Sequence, residues 1–172
     1  MTSEVDSEKP QVYVSAIFCT DIIREHGTDL LSAVRITSAF TANPARVTPE
    51  LPDGSLDTSR QEVVYAPVRF HAVITFWAEQ PRTFTFQMQG LKPNGERLND
   101  MRDPVDIEVP GGELGGYTIN LKAFVPGSLA GIYLFDMIID GKVALRLPMR
   151  ILHKKELPDS DTAQSENYSA AF

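Results

Sequence analysis

The feature that most constrains the fold is strict alternation of polar and apolar residues. It occurs over residues 83–89, 105–109 and 143–151. Successive side chains of a β-strand point to opposite faces of the sheet, so this period of two predicts strands with one buried and one exposed face. Half-buried strands of this kind are typical of antiparallel sheets, in which one face covers the core and the other meets solvent.

Four other segments are apolar at both odd and even positions and rich in β-branched and aromatic residues, which predicts central strands. They are residues 12–18, 30–36, 63–77 and 132–139. Pro67 lacks the N–H that a central strand donates, so we expect a break or an edge position there. Helix is scarce, with single turns expected only at residues 21–25 and 127–130.

Turn residues separate these segments. Asn94-Gly95 and Asp140-Gly141 are typical of tight hairpin turns, because both pairs tolerate positive φ angles. Residues 41–61 are predicted to form a long loop that is either mobile or functional. The pattern therefore predicts an all-β fold: an antiparallel two-sheet β-sandwich, immunoglobulin-like or C2-like, with seven to nine strands and little helix.

The organisation predicted along the chain is one domain with polar ends. We expect a disordered tail at residues 1–10, the β-sandwich domain at residues 11–152 and a second disordered tail at residues 153–172. The N-terminal residues lack the basic and apolar regions of a signal peptide, and no apolar run is long enough to cross a membrane. Together with the single cysteine, Cys19, this favours a cytoplasmic protein.

Charge excludes some classes of partner. The net charge is −7, and each tail contributes −2, which leaves the middle of the chain near −3. A mildly acidic domain lacks the basic surface that binds phosphate backbones or anionic lipids, so we expect neither nucleic acid nor membrane as a partner.

One candidate for catalysis lies after the first strand. Cys19, Asp21, Arg24 and His26 bring a thiol, a carboxylate, a guanidinium and an imidazole within eight residues. A cysteine nucleophile needs a nearby base and a lowered pKa, which spacing alone does not guarantee. The alternative interpretation is a structural thiol at the end of a buried strand, which is the commoner role of such a residue.

A second candidate is a group of carboxylates. Asp100, Asp103 and Asp106 lie close together in the sequence, and loop carboxylates gathered in this way bind calcium in some domains. Arg97 and Arg102 are interleaved with them, which favours a solvated acidic turn instead.

The sequence has no phosphate-binding glycine loop and no histidine pair at ligand spacing, so we expect no cofactor and no metal ligands. Trp77 is expected in the core.

Two stretches resemble an uncharacterised bacterial family of small cytoplasmic β-sandwich proteins. The first is Phe18-Cys19-Thr20-Asp21-Ile22-Ile23-Arg24-Glu25, followed by Gly27 and the apolar residues 30–34, which resembles the family's strand, Cys-Asp-Asp-Val-Arg-like turn and second strand. The second is residues 131–135 with Asp140-Gly141-Lys142. The match spans roughly residues 11–152. The resemblance implies the fold and a cytoplasmic setting, but no activity.

These observations lead to three hypotheses on function. The first is a non-catalytic binding or interaction module whose partner is a protein or peptide, with a strand edge able to recruit a peptide or a second copy of the chain. The second is a thiol enzyme or hydrolase that uses Cys19, Asp21 and His26. The third is a calcium-dependent binding domain. The less polar end of the C-terminal tail, residues 167–172, is an additional candidate recognition peptide.

Overall fold

The computed structural model describes residues 11–24, 31–98, 103–112 and 116–155. Within these ranges the chain is all β, with no helix. Eleven strands are present, which is more than the seven to nine predicted. They are β1 Val12–Arg24, β2 Leu31–Ile36, β3 Ala39–Ala42, β4 Pro44–Val47, β5 Glu62–Tyr65, β6 Val68–Ala78, β7 Arg82–Leu91, β8 Val105–Val109, β9 Gly116–Val125, β10 Gly131–Ile139 and β11 Lys142–His153.

The strands form three sheets. Sheet 1 has the order β2-β1-β6-β9, and sheet 2 has the order β3-β11-β10-β7-β8. Sheet 3 is the pair β4-β5. Neighbouring strands are antiparallel throughout, except that β3 lies parallel to β11. The expectation of a mostly antiparallel fold is therefore confirmed.

The core lies where side chains of sheet 1 contact those of sheet 2. Phe135 of sheet 2 packs edge-on against Phe18 and Phe70 of sheet 1, with ring centroids 5.2 and 5.4 Å apart. Further along, Phe76 of sheet 1 contacts Phe84 and Phe86 of sheet 2. Edge-to-face pairs of this kind add roughly 0.5–1.5 kcal/mol each beyond the area they bury. Aromatic residues at alternate strand positions therefore join the two sheets.

Several local predictions are confirmed. Phe84, Phe86 and Met88 are buried on one face of β7, as their alternation predicts. The chain breaks between β5 and β6 at Ala66-Pro67, because proline cannot donate to a ladder. Asp140 and Gly141 both have positive φ in the turn between β10 and β11.

Other local predictions are wrong. β1 continues through residues 21–24 as strand, because Ile22, Ile23 and Arg24 pair with β2 rather than forming a helical turn. Residues 127–130 form a turn and a bend rather than a helical turn. The segment 41–61 is not one long loop, since it contains the end of β3, all of β4 and a bridge between Glu50 and Leu56. Among the described strands β2 lies at an edge of its sheet rather than at the centre, because β1 is its one neighbour there.

Trp77 also departs from its prediction. The side chain is 38% exposed and packs beside Tyr13 on the face of sheet 1 that points away from the core. It occupies the odd-numbered face of β6, whereas Phe70, Ala72, Ile74 and Phe76 occupy the buried even-numbered face. Because every side chain of a strand follows this alternation, the neighbours of Trp77 decide its position.

Candidate binding site

A cavity of about 250 Å³ lies between β9 of sheet 1 and the β7–β8 side of sheet 2. We call it the edge cleft. An engineered apolar cavity of roughly 150 Å³ is large enough to bind benzene, so the edge cleft has room for one large or two small apolar side chains. Its apolar lining residues are Phe86, Met88, Leu98, Val105, Ile119, Leu121, Ala123, Phe124, Pro126 and Phe135. The lining is mostly apolar, as is typical of binding pockets.

The wall that sheet 1 contributes comes from β9. Ile119, Leu121 and Ala123 alternate with polar residues and are half-buried against the core. Their period of two directs all three to the same face of the sheet. They are only half-buried because no strand of the described residues pairs with the outer edge of β9.

The opposite wall exists because the β7–β8 ladder is short. It runs from Arg82 paired with Val109 to Phe86 paired with Val105 and then stops, although β7 continues to Leu91. Val105 at this end is exposed, in contrast to Ile107 and Val109, which are buried on the same face of β8. The end of the ladder therefore opens the space that becomes the edge cleft.

Leu98 closes one end of the edge cleft, and Gly90 makes room for it. The Leu98 amide donates a hydrogen bond to the Gly90 carbonyl at 2.9 Å. A Cβ at position 90 would lie 2.5 Å from a methyl carbon of Leu98 and 3.2 Å from the ring of Phe135. Any larger residue at this position would displace Leu98, so glycine is required by the close approach of its neighbours.

Three charged residues line the edge cleft: Lys92, Asp103 and Lys122. The Lys92 ammonium lies 3.1 Å from a carboxylate oxygen of Glu96. This hydrogen bond, followed by one to Asn94, lowers the pKa of the exposed Glu96 carboxyl. The lining therefore combines an apolar interior with a few charged groups.

The free edge of β9 is the second feature of this site. β9 is ten residues long and, among the residues that the structure describes, pairs with β6 alone. A free edge presents unpaired N–H and C=O groups that can form a ladder with another extended chain. The edge cleft and this edge belong to the same strand, so a chain added to β9 would place alternate side chains over the edge cleft.

The predicted thiol site is built differently from what catalysis requires. Cys19 is completely buried, and burial raises the pKa of its thiol, with a smaller contribution from the charge of Asp21. Asp21 itself is exposed, and so is Arg24, the last residue of β1. His26 lies outside the described residues.

Cys19 stands directly opposite His71 on the neighbouring strand β6. The His71 imidazole is within 3.1 Å of the Asn120 amide oxygen on β9. His71 lies on the outer face of sheet 1, because its even-numbered neighbours Phe70 and Ala72 are buried on the other face. Cys19 and His71 are therefore neighbours in the strand register, and the hydrogen-bond partner of the imidazole is Asn120.

The predicted carboxylate cluster is dispersed in the described residues. Asp103 lines the edge cleft, whereas Asp106 on β8 accepts a hydrogen bond from the Thr85 hydroxyl at 3.0 Å. Asp100 lies outside the described residues. Among the residues that the structure describes, no group of three or more His, Cys, Asp or Glu side chains is arranged to hold a metal ion.

The structure also pairs two charged residues that the sequence analysis did not join. Asp136 is only 4% exposed, and its two carboxylate oxygens accept hydrogen bonds from Arg146 at 2.6 and 2.8 Å. Asp136 and Arg146 stand opposite each other on β10 and β11. A two-point contact of this kind satisfies the buried carboxylate, so the pair has a structural role.

The sequence analysis missed β9 and therefore the edge cleft. Its signal was available, since Tyr117, Ile119, Leu121, Ala123 and Val125 alternate with polar residues over most of the segment. The free outer edge had no such signal, because strand pairing joins residues that are distant in the sequence.

In the described parts of the chain, no helix is long and apolar enough to span a membrane. No protein-family model matches the sequence, and no curated protein matches it. Among solved structures, the chain is similar to a hemolymph-type prophenoloxidase from a crustacean, with 10% sequence identity and a TM-score of 0.44. The alignment covers 92% of this chain and 37% of the prophenoloxidase chain, so this chain spans well under half of that protein.

Proposed function

We propose that this protein is a non-catalytic binding module that accepts an extended peptide along the free edge of β9. The observation that carries the proposal is the edge cleft, a cavity of about 250 Å³ beside a ten-residue strand whose outer edge has no partner among the described residues. Main-chain hydrogen bonds to β9 supply affinity in this arrangement, and pockets for alternate side chains supply specificity.

The spacing of the site defines the peptide. Alternate residues of a strand lie about 6.6 Å apart on one face. Ile119, Leu121 and Ala123 share this spacing on the wall of the edge cleft. The preferred ligand is therefore a segment with apolar residues at alternate positions and small or polar residues between them.

We also propose that sheets 1 and 2 form an immunoglobulin-like sandwich rather than a C2-like one. The buried Tyr133 supports this, since its hydroxyl lies 3.0 Å from the Pro126 carbonyl and 3.1 Å from the Leu129 carbonyl at the start of β10. Such a tyrosine corner is a feature of immunoglobulin-like domains. The ring contacts of Phe135 with Phe18 and Phe70 are further support.

A thiol enzyme is the weaker alternative. A nucleophilic cysteine needs thiolate character and access to solvent. Cys19 is buried, and its raised pKa keeps the thiol protonated near neutral pH. A calcium-dependent domain is likewise weaker, because Asp106 is bonded to Thr85 and Asp103 faces the edge cleft instead.

The setting of the protein is also part of this proposal. We place it in the cytoplasm of a bacterium, in the uncharacterised family that its Phe18–Glu25 segment resembles. A single buried cysteine suits a reducing compartment. A second copy pairing through a strand edge is a possible form of homo-oligomer, since β2, β3, β8 and β9 are edge strands.

The test measures binding of a fluorescein-labelled peptide, Ser-Val-Ser-Phe-Ser-Val-Ser, by fluorescence anisotropy. The proteins are the intact chain and its variant Tyr168→Ser/Phe172→Ser, so that the aromatic residues of the C-terminal segment cannot compete. We expect binding by the double variant, and weaker binding of a control peptide in which the two valines and the phenylalanine are adjacent. Equal binding of the two peptides, or binding of neither by either protein, refutes the proposal.

A cavity-filling variant localises the site. Ala123→Phe, made in the Tyr168→Ser/Phe172→Ser variant, places a ring in the edge cleft and should weaken peptide binding at least about tenfold, equivalent to about 1.4 kcal/mol. The matched control Ala45→Phe, in the same background, makes the same chemical change at an exposed position of β4. If both changes have the same effect on affinity, the peptide binds elsewhere.

A further inference from the structure

We propose that residues 167–172 of the same chain occupy the edge cleft and pair with the free edge of β9, so that the binding site blocks itself. The inference rests on the proposed function, because it assumes that the edge cleft accepts an extended peptide. It adds the identity of the first occupant and a means of regulation.

The first support is the point at which the chain leaves the described structure. β11 ends at His153, and the Nε2 atom of this residue lies 2.7 Å from the Gly127 carbonyl oxygen. The amide of the next residue, Lys154, donates a hydrogen bond to the Ala42 carbonyl at 3.0 Å. Gly127 follows the end of β9 by two residues, and Pro126 between them lines the edge cleft. The chain therefore leaves β11 beside the end of β9 that borders the site.

That point is held firmly. The His153 ring stacks on Tyr65, with ring centroids 3.5 Å apart and ring planes 9° from parallel. A Cβ on Gly127 would lie 2.1 Å from the Ala66 carbonyl oxygen, so the turn packs directly on the segment between β5 and β6. These contacts fix where the following residues begin.

The second support is reach. Tyr168 lies thirteen residues after Lys155, which is up to about 43 Å of extended chain or roughly 20 Å as a flexible linker. β9 has ten residues and is therefore about 33 Å long. A segment that starts near Val125 and runs toward Gly116 is antiparallel to β9, like every other pair in sheet 1.

The third support is the chemistry of the segment. Tyr168, Ala170 and Phe172 occupy alternate positions, and Ser169 and Ala171 lie between them. As a strand this places two aromatic side chains and one methyl group on a single face. This is the pattern that the edge cleft and the alternating wall of β9 require.

The fourth support is charge. Residues 156–166 contain Glu156, Asp159, Asp161 and Glu166 and no basic residue. Two of the three charged residues that line the edge cleft are Lys92 and Lys122. Lys92 is paired with Glu96, so Lys122 is the lining cation that attracts the acidic linker to this side of the molecule.

The consequence is competition between the chain's own segment and an external peptide. A short flexible tether gives the tethered segment an effective concentration of roughly millimolar. An external peptide must therefore bind more tightly than the internal segment to open the site, which makes the module selective for strong ligands.

The test is amide hydrogen exchange of β9, measured by NMR on the intact chain and on the Tyr168→Ser/Phe172→Ser variant. We expect the β9 amides that do not bond to β6 to exchange at least about tenfold faster in the double variant. The control variant Thr162→Ser/Gln164→Ser changes two polar residues of the linker, outside the segment 167–172, and should exchange like the original chain. Ala123→Phe should also release these amides, because it fills the edge cleft.

The outcomes separate the inference from the proposed function. One outcome is that the β9 amides exchange equally fast in the original chain and the double variant, while the double variant still binds the alternating peptide. This outcome overturns the inference and leaves the proposed function standing. Loss of peptide binding by the double variant overturns both. Protection of β9 that grows with protein concentration over a roughly hundredfold range assigns the occupant to a second copy, which overturns blocking within one chain.

Discussion

The interior of this protein has two contrasting sides. Around Phe18 and Phe70, buried side chains from both large sheets are in contact, and these two rings meet each other and the ring of Phe135 edge-on. Around Leu121 and Val105, the same two sheets leave a cavity of about 250 Å³. We call these the closed side and the open side.

The difference arises from strand pairing rather than from composition. Both sides are lined by apolar residues at alternate positions. β6, which carries the closed side, is paired on both edges. Within the part of the chain that the structure describes, β9 is paired on one edge only, and the β7–β8 ladder stops at Phe86. An apolar alternating strand thus becomes core where neighbours cover it and becomes a candidate binding surface where they do not.

The largest expected effect separates the two sides by truncation. Phe70→Ala on the closed side should lower the free energy of unfolding by about 3–5 kcal/mol, because a cavity replaces a fully buried ring. Leu98→Ala on the open side should lower it by only about 1–2 kcal/mol, because Leu98 is half-buried beside an existing cavity. Urea denaturation measures both. Equal losses would show that the two sides are packed alike.

The next effect uses enlargement in place of truncation. Ala72→Leu on the closed side should cost about 1–3 kcal/mol, because Ala72 is fully buried and its neighbours must move. The same change at Ala123 should alter stability by less than about 0.5 kcal/mol, because the edge cleft accepts the added carbons. Thermal unfolding of the two variants provides the comparison, and a large loss at Ala123 would contradict an open cavity.

A smaller effect is expected at the tyrosine corner. Tyr133→Phe removes the hydroxyl shared by the Pro126 and Leu129 carbonyls and should lower the free energy of unfolding by about 1–2 kcal/mol. The control Tyr13→Phe removes an exposed hydroxyl and should change it by less than about 0.5 kcal/mol. If the two variants are equally stable, the corner does not hold the turn that leads into β10.

The smallest effect is the pH dependence of Cys19. Its folded-state pKa is raised above the ordinary value of 9.0, chiefly by burial. The folded chain therefore retains the thiol proton at pH values where the unfolded chain loses it. The stability that the protonated Cys19 contributes to the folded chain is complete below pH 9.0 and is lost as pH rises through the raised pKa. The stability difference between the original chain and Cys19→Ala should shrink above pH 9.0. A difference that does not change with pH would mean that the thiol titrates normally.

Much of the local structure could be predicted from the sequence. The alternation at Phe84, Phe86 and Met88 identified β7 and its buried face, and Asp140-Gly141 identified the turn between β10 and β11. The break at Pro67 was also predictable, since proline cannot donate a ladder hydrogen bond. Each of these depends on residues that are close together in the chain.

The candidate site was less accessible to sequence reasoning. Cys19 was singled out for its chemical type, but burial raises the pKa of its thiol. Asp103 was named as a possible ligand of calcium, whereas in the structure it borders an apolar cavity. Residue type suggests what a side chain is able to do, and its surroundings decide whether it does so.

The sequence by itself determined that this chain forms strands and which side chains share a face, because period-two alternation and turn residues act over a few positions. Only the tertiary structure decided that β3 lies parallel to β11, that Trp77 faces outward and that no other described strand pairs with the outer edge of β9. These properties depend on which distant strands become neighbours. That choice is made by packing between whole sheets, and no short segment of the sequence contains it.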